Sequence, residues 1–202
     1  RVRTLGRLLI ALLAVAAGMA GAAEQATLNV GSKRFTESYI LGEIIAAKAR
    51  EAGEAHVNFK PGLGNTAVVF AALKTGAIDV YPEYSGTIAF ELLGGRVSPA
   101  LEDINRALGP EGLAASVPLG FSNTYGLAMR EEIAQRKNIV RISDLAGHPD
   151  LKAGLSQEFL NRKDGWTALK KAYGLPFTAA GLDHGIAYEA LAAGRIEIVD
   201  VY

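Results

Sequence analysis

The 202-residue sequence contains no cysteine. That absence excludes disulfides, thiolate catalysis and attachment through a lipidated cysteine. Histidine is scarce. His56, His148 and His184 stand far apart, not at the spacing of a metal pair, so no metal site is expected. No G-x-S-x-G elbow marks a nucleophilic serine. Asp183-His184 is half of an acid–base pair at most and reads as a surface loop pair. An excess of one charge is also missing, with 21 basic against 21 acidic residues. Long apolar runs are confined to the N-terminus, where Arg1, Arg3 and Arg7 precede Leu8 to Ala17 and the small residues Ala20-Gly21-Ala22. This is the plan of a secretory signal peptide over residues 1–23. The run is short for a bilayer span, and an uncleaved anchor is the alternative. Without the three arginines the remainder has 18 basic and 21 acidic residues, a net charge of −3. That balance gives no footprint for nucleic acid. The expected compartment is the periplasm.

What is present is an alternation of strands and helices. A strand over Thr27–Val30 leads through Gly31-Ser32-Lys33-Arg34-Phe35-Thr36 into a helix from about Glu37 to Ala52, with Ile40, Leu41, Ile44 and Ile45 at helical spacing. Thr36 is the expected N-cap. A strand over His56–Lys60, a helix over Thr66–Lys74 closed by Gly76, and a strand over Ile78–Tyr81 come next. This order predicts a parallel sheet. Near Leu113 the pattern changes, and Ala114–Leu119 and Thr124–Met129 read as extended segments of a crossover. Beyond it come a strand over Leu151–Leu155, helices over Gly165–Tyr173 and Gly185–Ala193, and a strand over Ile196–Val201. The expected organisation is one α/β lobe over 24–120 and a second over 121–202. The chain starts on arginine and stops on Tyr202 at the end of an apolar strand, so both ends are expected to be incomplete.

The most telling segment is Asp79-Val80-Tyr81-Pro82-Glu83-Tyr84-Ser85-Gly86-Thr87. Ligands of open α/β sheets bind beyond the carboxyl ends of strands, and rings and hydroxyls there build a pocket better than a core. The pattern recurs. With Leu73 laid on Leu191, Lys74 to Val80 fall on Ala192 to Ile198, and Tyr84 falls on Tyr202. Of seven tyrosines, Tyr84, Tyr125 and Tyr202 follow strands or lie in the crossover and are pocket candidates. Tyr39, Tyr173 and Tyr188 sit within helices and read as packing. Lys33 stands at the end of the first strand, and Arg162 just before a helix, where a cation opposes the dipole and is suited to meet an anion.

Gly62-Leu63-Gly64-Asn65-Thr66-Ala67 matches G-x-G-x-x-G/A, with Glu83 some twenty residues on, as a dinucleotide site requires. Pro61 interrupts the usual strand-to-turn geometry. The other reading is a tight turn exposing N–H groups at a helix start, which can hold an anion without a cofactor.

Taken together, Gly31-Ser32-Lys33-Arg34-Phe35-Thr36-Glu37, Tyr39 to Glu43, Gly62 to Thr66, Tyr81 to Thr87, Gly120 to Tyr125, Glu158 to Arg162 with Asp164-Gly165, and Ile198 to Tyr202 resemble the glycine betaine/carnitine/choline-binding proteins of ABC transporters. The motifs run in the family's order along the whole chain after the signal. The resemblance implies a type II periplasmic binding protein: two α/β lobes around a cleft, a final part that completes the first lobe and is absent here, and one more cage tyrosine in that part. It implies a quaternary ammonium ligand, a permease and its ATPase as partners, no cofactor and no catalysis. By position, Tyr84, Tyr125 and Tyr202 would form the cage, and Lys33, Thr87 and Arg162 would hold a carboxylate. The Asn123 carbonyl would face the ammonium. Ser85 departs from the threonine frequent in the pattern. Another small solute, such as an amino acid or a different trimethylated betaine, stays open. An amino acid would need an acid opposite its ammonium, with Glu83 the candidate.

Overall fold

The computed structural model describes residues 25–202. The expected signal segment, residues 1–23, lies outside the described residues. Strand β1 (Thr27–Gly31) pairs in parallel with β2 (His56–Lys60). Helix α1 (Thr36–Ala52) connects them, and α2 (Thr66–Lys74) carries the chain back to Val80, which bridges Val30 in parallel. Two short helices come next, α3 (Ser85–Thr87), continued by a wide turn over Ile88–Leu92, and α4 (Leu101–Leu108).

A second unit starts at β3 (Gly126–Ala128), then α5 (Glu131–Lys137). Strand β4 (Ala153–Ser156) pairs in parallel with β5 (Ala179–Leu182), and Ile198 bridges Ala153. Helices α6 (Gln157–Asn161), α7 (Trp166–Tyr173) and α8 (His184–Ala192) lie between these segments. The last strand, β6 (Val199–Val201), pairs antiparallel with β3. The segments therefore lie in the order β5, β4, Ile198–β6, β3. Leu155, Ile198, Trp166, Phe159 and Phe177 fill this unit's core. Each such side chain, taken from water, contributes roughly 1.5–3 kcal/mol.

The repeat read from the sequence is a repeat of structure. Gly76 and Gly194 close α2 and α8 with φ of 71° and 69°, left-handed values that favour glycine. In one unit Asp79 N–H donates to Asn29 O at 2.8 Å, Val80 N–H to the same oxygen at 3.4 Å, and Gly31 N–H to Val80 O at 2.8 Å. In the other, Glu197 N–H donates to Lys152 O at 2.7 Å, Ile198 N–H to the same oxygen at 3.2 Å, and Gly154 N–H to Ile198 O at 2.9 Å. The acid of each turn reaches back as well: Asp79 accepts from Asn29 N–H at 2.7 Å, and Glu197 from Lys152 N–H at 3.1 Å.

Several local expectations change. Phe35, not Thr36, precedes α1 in extended conformation, and no side chain caps that helix. The buried face of α1 is Ser38, Gly42 and Ala46, whereas Ile40 and Ile44 are exposed. A Cβ on Gly42 would stand 2.7 Å from the Phe59 ring, so small residues let the helix lie close to β2. Ile78–Tyr81 contributes only the bridge at Val80. Ala114–Leu119 forms no strand. Helices α3, α4, α5 and α6 and strand β5 lie outside the elements expected from the sequence.

Candidate functional site

The ends of these elements converge on a cavity of about 400 Å³. All seven expected site residues line it: Lys33, Tyr84, Thr87, Asn123, Tyr125, Arg162 and Tyr202. Lys33 follows β1, and Tyr84 and Thr87 flank and end α3. Asn123 and Tyr125 precede β3, Arg162 caps the C-terminus of α6, and Tyr202 follows β6.

The rings form a chain along one side. Tyr125 stacks on Phe159 with centroids 4.9 Å apart and meets Tyr202 at 4.7 Å. Tyr202 in turn meets Phe35 edge-on at 5.4 Å and stacks on His184 at 4.6 Å. His184 thus packs behind Tyr202 instead of forming a surface pair, while Asp183 caps α8 by accepting from Gly185 N–H at 3.0 Å. Burial pushes the hydroxyls of Tyr125 and Tyr202 well above the ordinary phenol range. Both rings are therefore neutral π-faces at any physiological pH.

The two cations already hold carboxylates of the protein. Lys33 Nζ donates to Glu83 Oε1 at 2.7 Å, and both side chains are over nine-tenths buried. Glu83, the acid weighed as an ammonium partner, is thus committed to Lys33. Arg162 donates through Nε and Nη2 to Asp164 at 2.9 and 2.8 Å, and through Nη1 to Glu91 at 3.0 Å and Thr87 at 3.1 Å. Its guanidinium lies 5.4 Å from the Tyr125 ring centroid. A bidentate fork on Asp164 fixes the guanidinium plane, as a single lysine contact could not.

Several cleft residues were not anticipated. Glu37, in the first turn of α1, accepts from the Tyr84 hydroxyl at 2.7 Å and from Asn123 Nδ2 at 2.6 Å. Phe121 meets Tyr84 edge-on at 6.3 Å. Phe35 and Glu37 belong to the motif that supplied Lys33, and Phe121 to the one that supplied Asn123; proximity in sequence was the available signal. The glycine-rich turn does receive an anion at the start of α2, but it is Glu158, which accepts from the Thr66 hydroxyl and from Thr66 N–H at 3.3 Å. The charged group that suits this helix N-terminus comes from α6. Among the described residues no cluster suits a metal ion, and no helix is long and apolar enough to cross a membrane.

Glu91 supplies a pH test. Burial first, and then the charge of Glu158, raise its carboxyl to about 6, against the opposing pull of Arg162. Its protonated form is thus favoured by folding. The associated stability is complete below the unfolded value near 4.5 and is lost as pH rises through about 6. Denaturation midpoints of the wild type should fall relative to Glu91→Gln between pH 4.5 and 6. Parallel curves for the two proteins would contradict the assignment.

Residues 26–202 match the family model described as the substrate binding domain of ABC-type glycine betaine transport system. The chain belongs to this family. The glycine-betaine-binding protein of Pseudomonas aeruginosa is 34% identical over 93% of this chain and 66% of that protein. The ergothioneine transport permease/ergothioneine binding protein EgtU of Helicobacter pylori is 32% identical over 90% of this chain and 34% of its own length. The substrate-binding domain thus spans between about a third and two thirds of these relatives. The solved structure of apo YehZ from Escherichia coli superposes with a TM-score of 0.53 at 28% identity, covering 87% of this chain and 69% of that one. The domain has the type II periplasmic binding protein fold. Its family is one of solute-binding proteins, which removes the dinucleotide enzyme as a reading of the glycine-rich turn.

Proposed function

We propose that this domain captures a quaternary ammonium solute, such as glycine betaine, choline or carnitine, and presents it outside the cytoplasm to an ABC permease coupled to an ATPase. The observation that carries the reading is the convergence of Tyr84, Tyr125 and Tyr202 on one cavity. A quaternary ammonium has no N–H to donate. It is held by ring faces at about 0.5–2 kcal/mol each, more where water is excluded. Lobes over 24–120 and 121–202 place Tyr84 on one side and Tyr202 on the other. A solute that touches both favours the closed arrangement, and that shape is what a permease would recognise.

The polar end of the cavity suits a ligand carboxylate or hydroxyl. Lys33 has three donors and uses two, on Glu83 and Thr66. Arg162 has five and uses four. Among the described residues one donor on each is left for the solute, beside the Thr87 hydroxyl. The Asn123 carbonyl completes the ammonium end. A different trimethylated betaine is the second reading, supported by the relative that is named for ergothioneine.

Calorimetric titration with glycine betaine, choline and carnitine tests the proposal. Saturable binding that weakens about tenfold in Tyr84→Ala is expected, since 1.4 kcal/mol lies within the range of one ring contact. Absence of heat with all three solutes, on protein shown by circular dichroism to be folded, would overturn it.

A further inference from the structure

The Glu37 carboxylate is joined to two segments that are remote in sequence. One oxygen accepts from the Tyr84 hydroxyl at 2.7 Å and the other from Asn123 Nδ2 at 2.6 Å. Both partners line the cavity, as Glu37 does. Tyr84 stands on the turn before α3, Asn123 in the crossover before β3, and Glu37 at the start of a 17-residue helix. The start of a helix is the end of its dipole that suits an acidic side chain.

We infer that Glu37 is the positioning residue of the cage, fixing the Tyr84 ring and the Asn123 segment and making the Tyr84 face selective for a cation. The inference rests on the quaternary ammonium reading proposed above. Three physical steps support it. A phenol that donates to a carboxylate is anchored at its hydroxyl end, and the edge-on Phe121 ring limits rotation of its plane, so the ring is in place before the ligand arrives. The donated hydrogen bond leaves the ring richer in electron density, and a negative charge stands one hydroxyl behind it. A cation over the ring face gains from both, whereas a neutral solute of the same shape gains from neither. Lastly, the tie to Asn123 holds the crossover loop, with Phe121 edge-on to Tyr84. The Tyr84 hydroxyl is pushed up to about 12, first by burial and then by the bond to Glu37.

Glu37→Gln is the informative variant, because glutamine offers a single acceptor oxygen to two donors and no charge. Choline should bind it about tenfold or more weakly, in line with the loss of hydrogen bonds to a charged acceptor. Binding of 3,3-dimethyl-1-butanol, the neutral isostere of choline, should change little. Glu37→Gln and Tyr84→Phe should be non-additive in a double-mutant cycle on choline affinity. In the unliganded protein, tyrosinate absorbance at 295 nm and pH 11 should rise in Glu37→Gln, as Tyr84 joins the population that ionises. Unchanged choline affinity would overturn the inference, as would equal losses for choline and its isostere. If wild type binds no quaternary ammonium, the functional reading fails and the cage role with it. The tyrosinate arm still separates that case from a failure of the Glu37–Tyr84 contact itself, which an unchanged signal would show.

Discussion

Tyr125→Ala is expected to weaken quaternary ammonium binding by about 30-fold or more, since a dry cation–π contact is worth roughly 2 kcal/mol or above. Tyr125 is the ring that links Phe159 to Tyr202. It stacks on Phe159 from one side, meets Tyr202 on another, and lies under the Arg162 guanidinium. Truncation therefore removes the proposed ligand contact and also the surface against which Tyr202 and Arg162 rest. Loss of a packed aromatic ring costs about 3–5 kcal/mol of stability, so binding is to be measured at a temperature where the variant is folded. Tyr125→Phe is the control. It keeps the ring and removes a hydroxyl that makes no hydrogen bond among the described residues, so affinity should stay within a few-fold of wild type. Wild-type affinity in a folded Tyr125→Ala protein would end the aromatic-cage reading.

Gly165→Ala is the second large effect. A Cβ at Gly165 would lie inside the van der Waals shell of the Phe159 carbonyl oxygen and 3.0 Å from the Arg162 Cβ. The obstacle is backbone, which cannot rotate aside as a side chain end can. The same glycine donates its N–H to Arg162 O at 3.1 Å and starts α7. Space for a methyl group requires the Asn161–Gly165 turn to open, and that turn carries Arg162 and Asp164. Overpacking of this kind costs about 1–3 kcal/mol, and a melting temperature in a domain of this size moves about 2–4 °C for each kcal/mol. Thermal unfolding should show that drop, and affinity should fall with it because the Arg162 fork loses its position. Gly109→Ala is the comparison, with φ of −52° and nothing within 4 Å of the added carbon. It should be neutral or slightly stabilising. Equal melting temperatures for the two variants would contradict the argument.

Helix, glycine, turn and strand were readable in both halves because each depends on neighbours only a few residues apart. Gly76 and Gly194 illustrate this: the left-handed turn is a local demand that glycine meets in either half. The failures have local causes too. Ala114–Leu119 looked extended, but the Asn105 side chain takes both the N–H and the C=O of Ala115, at 2.6 and 3.0 Å, in place of a strand partner. Strand β5, Ala179–Leu182, has no β-branched or aromatic residue to announce it, and exists through its pairing with β4. In α1 the apolar period was real, yet its inner face went to Ser38, Gly42 and Ala46, and at Gly42 the Phe59 ring of β2 leaves no room for a side chain.

Local order along the chain was enough for the family and the repeated helix–glycine–strand pattern, and it picked out Lys33, Tyr84, Thr87, Asn123, Tyr125, Arg162 and Tyr202, which all line one cavity. Strand ends lead to the cleft, and the residues just beyond a strand end are its immediate neighbours in sequence. Which residues of the cavity pair with which was left to the packed fold. Lys33 finds Glu83 across 50 positions, Arg162 finds Thr87 across 75, Asn123 finds Glu37 across 86, and Glu158 finds Thr66 across 92. Charges and hydroxyls of one type are interchangeable on paper. Which of them neutralises which depends on distances of a few ångströms, and those are set only when the strands and helices have packed.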